Sequence, residues 1–293
     1  MSYDLFLSSP RLSDSAFSSY FKGRKNYQSP GAYLNNDTGV YFSFEMEKPK
    51  ASWRSLLGGS TGRVSFNMNY FRPHVFGLEA EPEVTAFVNA FACAIEDPQM
   101  SGMGNGPYSQ EGFRRGWNAG NLFGYQAIAK QSNLDDSLVV DDDWIESVWS
   151  WNFKKDVVQR SLAEGHFLPR VSWTRQIDGN RPVTFCVWGE GVLTAFPDCA
   201  SHVLVARHKD RVNAASGLEV KLMALADVAA LPGCEWRETG GSRLLYAPVA
   251  PPPGPEILSL FDGSFATFET LPKAVAADHV LDASLMAQVP QAK

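Results

Sequence analysis

Cysteine, histidine and paired carboxylates are the side chains here with types and spacing suited to chemistry. Cys199, His202 and His208 lie close in sequence, with Asp198 and Asp210 beside them. An imidazole can hold a thiolate ready for attack, so a Cys–His nucleophile pair is one reading and a His/carboxylate metal site another. If residues 202–207 form a strand, alternation sends His202 and Arg207 to opposite faces and returns His208 to the face of His202. Catalytic pairs are made by geometry rather than by proximity in sequence. The pattern favours a buried cysteine beside surface histidines. His74, His166 and His279 have no companions. Cys93, Cys186, Cys199 and Cys234 are scattered, with no CxxC pair and no histidine at finger spacing, so reduced core cysteines are expected rather than zinc or a disulfide frame.

Two glycine motifs fail on context. Gly58-Gly59-Ser60-Thr61-Gly62 matches G-x-S-x-G, but that elbow needs a strand before it and a helix after it, and here a strand pattern follows. Gly102-Met103-Gly104-Asn105-Gly106 lacks the third-glycine spacing of a dinucleotide loop and is followed by no phosphate-binding lysine. Asp142 and Glu146 are four apart, yet nothing separates them into an acid and a base. The expectation is therefore no catalytic residue, no metal and no cofactor.

The elements that position these residues follow from the apolar pattern. With 44% hydrophobic and 20% charged residues the chain must fold, and 293 residues can bury a substantial core. Its 26 basic and 32 acidic residues leave a formal charge of -6, which opposes a general grip on nucleic acid. The N-terminus has no basic region and Asp4 breaks its apolar run, and no stretch is long enough to span a bilayer. A cytoplasmic protein that does not engage membranes is expected.

Tyr3, Leu5 and Leu7 alternate as a strand, and Ser13 caps a helix carrying Phe17, Tyr20 and Phe21, with Leu12 and Phe17 as its staple. Ala32–Leu34 and Val40–Phe44 flank the Asn35–Gly39 cluster as a hairpin, Val64 to Tyr70 alternates, and Pro82 to Glu96 reads as a helix. Residues 1–105 thus form a β-α-β-β-β-α subdomain. Residues 106–160 form a helical connection, whose helix from Glu111 to about Gln131 carries Gly116, Gly120 and Gly124 on one stripe. Each costs about 1 kcal/mol in a helix, so close approach of another backbone is expected there. Residues 161–250 form a β-rich subdomain, with strands at His166–Arg175, Pro182–Trp188, Val192–Phe196, His202–Arg207, Leu218–Leu225 and Leu244–Tyr246. Asp178–Asn180 and Gly189–Gly191 supply hairpin turns, and a short helix covers Ala226–Leu231. Residues 251–293 open on a proline run and continue as a weakly patterned tail. The expected class is α+β: antiparallel sheets with helices packed on one face, in two similar halves of one compact chain.

One surface stretch stands above this background. Residues 131–153 hold no Lys or Arg but carry Asp135, Asp136, Asp141, Asp142, Asp143 and Glu146 beside Trp144, Trp149, Trp151 and Phe153. Aromatic anchors dominate interface energies, and clustered acids steer a basic partner. Asp135, Asp136, Asp141, Asp142, Asp143, Trp144, Glu146 and Trp149 are the candidate partner-binding residues.

Two stretches carry a family likeness. Tyr3–Leu7 with Asn36–Glu45 is one; Leu168–Val171 through Val187–Gly191, Phe196–Asp198 and Val203–Arg207 is the other. Together they resemble uncharacterised bacterial proteins found beside polymorphic or type VI secreted toxins and thought to be immunity proteins. The matched residues are structural and transfer no site. The resemblance implies a stoichiometric inhibitor, not an enzyme. It would act as a monomer or in a 1:1 complex on a cognate toxin, a basic nuclease (DNase) effector of a type VI secretion system. The alternative is a hydrolase using Cys199 with His202 or His208.

Overall fold

Strict alternation builds the first sheet. In β1 (Ser2–Ser9), Tyr3, Leu5 and Leu7 are buried and the residues between them are half-exposed. α1 (Asp14–Phe21) starts where the Ser13 hydroxyl accepts the Ala16 N–H at 3.2 Å, and it buries Phe17 and Phe21. Then come β2 (Tyr27–Ser29), β3 (Ala32–Leu34), β4 (Tyr41–Met46), β5 (Gly62–Asn69), α2 (Val75–Phe91), β6 (Ala94–Glu96), β7 (Asn105–Gly106), α3 (Gln110–Ile128) and β8 (Leu138–Val140). The strands form an antiparallel sheet in the order β2-β3-β4-β5-β1-β6-β7. α1 and α2 bring Phe21 and Phe87 onto Phe44, with Phe17 against Phe87, and α3 brings Phe113 and Trp117 onto Tyr3. The computed structural model describes residues 1–48, 61–129, 134–162, 165–176, 181–210, 217–267 and 273–290.

The second helix departs from its expected bounds. It begins at Val75 and ends at Phe91 rather than running from Pro82 to Glu96. Pro82 lies inside it, where the lost N–H bond is outweighed by burial of Val75, Phe76, Ala80 and Val84. Ala92 turns left-handed at φ 50°, and Ile95 packs as a strand residue opposite Leu7. The hairpin around Asn35–Gly39 is present, held by a bond that sequence does not reveal: buried Glu79 of α2 accepts from Tyr33 Oη, Asn35 Nδ2 and Thr38 Oγ1 at 2.7–3.1 Å. The glycine stripe of α3 is packed inside, but mainly against rings. A β-carbon at Gly116 would lie 2.5 Å from Tyr3 Oη, one at Gly120 2.0 Å from Tyr70 Oη, and one at Gly124 2.7 Å from Tyr70 Cβ.

The chain divides into two units: Met1–Asp142 with Ala277–Lys293, and Asp143–Ala276. α4 (Asp142–Gln159) starts on the last residue of this first stretch. The second unit continues with β9 (Ser172–Arg175), β10 (Pro182–Gly189), β11 (Thr194–Pro197), β12 (His202–His208), β13 (Leu218–Ala224), α5 (Leu225–Ala229), β14 (Glu235–Thr239), β15 (Ser242–Ala247), α6 (Pro255–Leu260) and β16 (Ala266–Thr267). One sheet has the order β16-β13-β12-β10-β9 and the other β11-β15-β14.

The strand expected over His166–Arg175 is shortened to β9. Ahead of it, α4 side chains take the backbone bonds: Gln159 Oε1 accepts Leu168 N–H, and Asn152 bonds both the N–H and the C=O of Val171. Gly189–Gly191 is no hairpin, because β10 pairs in parallel with β12 while β11 joins the other sheet. The Asp178–Asn180 turn and Gly58–Ser60 lie outside the described residues. The tail is better formed than its pattern suggests. α6 follows the prolines, and after a turn at Ala277–His279 the chain rejoins the first unit as β17 (Val280–Asp282), parallel to β8, and α7 (Ala283–Met286). Among the described residues no helix is long and apolar enough to cross a membrane.

Candidate partner-binding surface

α4 is built with two faces. Ile145, Val148, Trp151, Asn152 and Val158 are buried at helical spacing, and Trp151 Nε1 donates to Pro169 O at 3.0 Å. Asp142 and Asp143 open the helix, where carboxylates favour its positive end. On another face Trp149, Phe153 and Val157 follow at intervals of four. Trp149 stacks on Phe153 with centroids 5.5 Å apart, Phe153 is 47% exposed and Val157 60%. Asp143 and Glu146 are exposed about two turns and one turn before this row. The result is an apolar row with an acidic end on one rigid element.

The candidate acids and tryptophans separate. Asp143, Glu146 and Trp149 lie on this helix at the surface or half-buried. Trp144 is turned into the second unit: its Nε1 donates to Cys199 O at 3.3 Å, and its ring meets Trp173 edge-on at 5.1 Å. Asp142 is engaged within the first unit, where its carboxylate takes both the N–H and the hydroxyl of Ser284. Asp135, Asp136 and Asp141 are exposed residues of the first unit, around β8. Sequence reasoning named Phe153 only as a neighbour and missed Val157. The four-residue spacing from Trp149 was its available signal, but adjacent Val158 points to the core and hides which valine is outside.

Compared with family models, curated proteins and solved structures, the chain gives no match in any of the three.

The nucleophile reading can be judged on geometry. Cys199 is largely buried and its thiol is pushed up to about 12, first by burial and next by the Asp198 charge, which suppresses the thiolate that nucleophilic attack needs. His202 Nδ1 lies 2.9 Å from Ser201 Oγ, and among the described residues no hydrogen bond joins Cys199 to His202 or His208. Burial also lowers the His202 pKa below its ordinary value. In the first unit His74, Asp142 and Asp282 each bring a possible ligand atom within 4.8 Å of the others. These nitrogen and oxygen donors could hold a divalent cation. Yet His74 Nδ1 stands 2.5 Å from Asp282 Oδ1, a hydrogen-bond separation, and Asp142 is bonded to Ser284. The arrangement works as a clasp on the C-terminal segment.

Proposed function

We propose that this chain is an immunity protein that binds and neutralises a cognate secreted toxin, a nuclease (DNase) effector of a type VI secretion system, by stoichiometric protein–protein inhibition in the cytoplasm. The observation that carries the reading is the Trp149–Phe153–Val157 row with Asp143 and Glu146 at its end. A nuclease must present a positive groove to its substrate. Acids at the end of an apolar row match such a partner: they speed and orient the encounter while the desolvated rings supply affinity. The likeness to toxin-linked proteins and the net charge of -6 support the same reading.

The test begins with tagged chain as bait for its toxin, followed by titration of that toxin's DNase activity. Activity should vanish at a 1:1 ratio. Phe153→Ala with Val157→Ala should weaken binding about 10–30-fold. Asp143→Lys with Glu146→Lys should slow association at low salt about tenfold, with little change in dissociation. These are surface positions, so circular dichroism should be unchanged. Failure to inhibit the bound toxin at any ratio would sink the reading.

A further inference from the structure

The side of α4 next to the apolar row bounds a different feature, a half-open polar cleft of about 180 Å³ within the second unit. Ser147, Ser150 and Lys154 line it from the helix at three- and four-residue spacing. Opposite them stand Asp198 and Cys199 from the turn between β11 and β12, and Ser242 and Arg243 at the start of β15. The volume is below the roughly 300–1,000 Å³ of sites for drug-sized molecules, so the occupant must be small.

Its chemistry is that of an anion receptor. Neither Lys154 nor Arg243 has a carboxylate partner among the described residues. The Arg243 guanidinium is held instead over the Trp236 ring, 4.7 Å from its centroid. The Cys199 thiol, pushed up by burial, stays neutral and adds no negative charge. Asp198 is the one acid among the lining residues and is exposed to water, and Glu238 stands opposite Arg243 across the β14–β15 pair. Two cations against one solvated carboxylate leave the lining positive, in a chain that is negative as a whole.

We propose that this cleft binds a phosphate-type oxyanion, with Lys154 and Arg243 neutralising its charge. A guanidinium and an ammonium on residues that border one small volume are suited to tetrahedral oxyanions. The site does not depend on the toxin reading, because the ligand is tested on the chain alone.

Calorimetric titration of the full chain with inorganic phosphate should give saturable binding with a dissociation constant of about 1 mM or tighter. A small phosphomonoester should bind at least as tightly if the natural ligand carries its phosphate on a larger body. Lys154→Met and Arg243→Met keep the apolar stems, and each should weaken binding at least tenfold. Asp198→Asn removes the repulsion and should tighten it. The proposal is overturned by absence of saturable binding, by equal binding in both methionine variants, or by loss of binding in Asp198→Asn, which would mark a cation site.

Discussion

Asp282→Ala is expected to destabilise the first unit by about 3–5 kcal/mol, read as a lower urea midpoint by far-UV circular dichroism. Asp282 has no exposed surface. Its carboxylate takes the His74 N–H at 2.8 Å, the His74 Nδ1 at 2.5 Å and the Tyr125 hydroxyl at 3.1 Å, while its own N–H donates to the Tyr125 oxygen at 3.0 Å. Alanine leaves those donors without their acceptor, each costing about 1–3 kcal/mol where no replacement is found. Asp282→Asn keeps one acceptor oxygen and the volume, so it should lose clearly less. Because Asp282 ends β17, the same substitution should raise amide exchange along Val280–Asp282 and its partner β8 before the rest of the sheet opens. A loss below about 1 kcal/mol in Asp282→Ala would mean that water replaces the carboxylate and that the C-terminal segment is held by strand pairing alone.

That clasp also marks the limit of what the sequence discloses. Local signals carry well: Ser13 caps its helix as a serine before an apolar run does, and the alternation in β1 and β5 gives both strands. The strand over Leu218–Ala224 is also read from alternation, against the helix preference of its Leu, Met and Ala residues. What fails is non-local. Nothing near Pro82 announces that burial of Val75 and Phe76 will carry the helix through it. Nothing near Gly189 announces that the next strand will leave for another sheet. The tail looks featureless because its order comes from residues more than a hundred positions away, His74, Tyr125 and Asp142. The surface shows the same division. Glu146 and Trp149 are legible from composition and period, whereas separating them from Asp142 and Trp144 requires knowing that Ser284 and Cys199 already occupy the latter.

The glycine stripe allows a sharper test, because opposing effects of known sign act at one place. In an exposed helix, replacing Gly116 and Gly120 by alanine would stabilise by about 1 kcal/mol each through lower chain entropy. Here the new methyl groups meet Tyr3 Oη at 2.5 Å and the Tyr70 ring at 2.0–2.5 Å. Those rings cannot swing aside cheaply. Tyr3 lies 5.3 Å from Phe113, Tyr70 lies 5.7 Å from Trp117, and the two tyrosines lie 6.3 Å from each other. Overpacking costs about 1–3 kcal/mol at each site, so packing should outweigh propensity in the double variant. A net loss of up to about 4 kcal/mol is expected for Gly116→Ala with Gly120→Ala, measured by urea unfolding. The two changes should be non-additive, since both act on the touching Tyr3–Tyr70 pair. Truncating Tyr70 to alanine beside Gly120→Ala supplies the control: with the ring gone, the glycine substitution should turn stabilising. If the double glycine variant is instead more stable than the parent, the stripe is not a packing device, and α3 approaches the sheet less closely than these distances require.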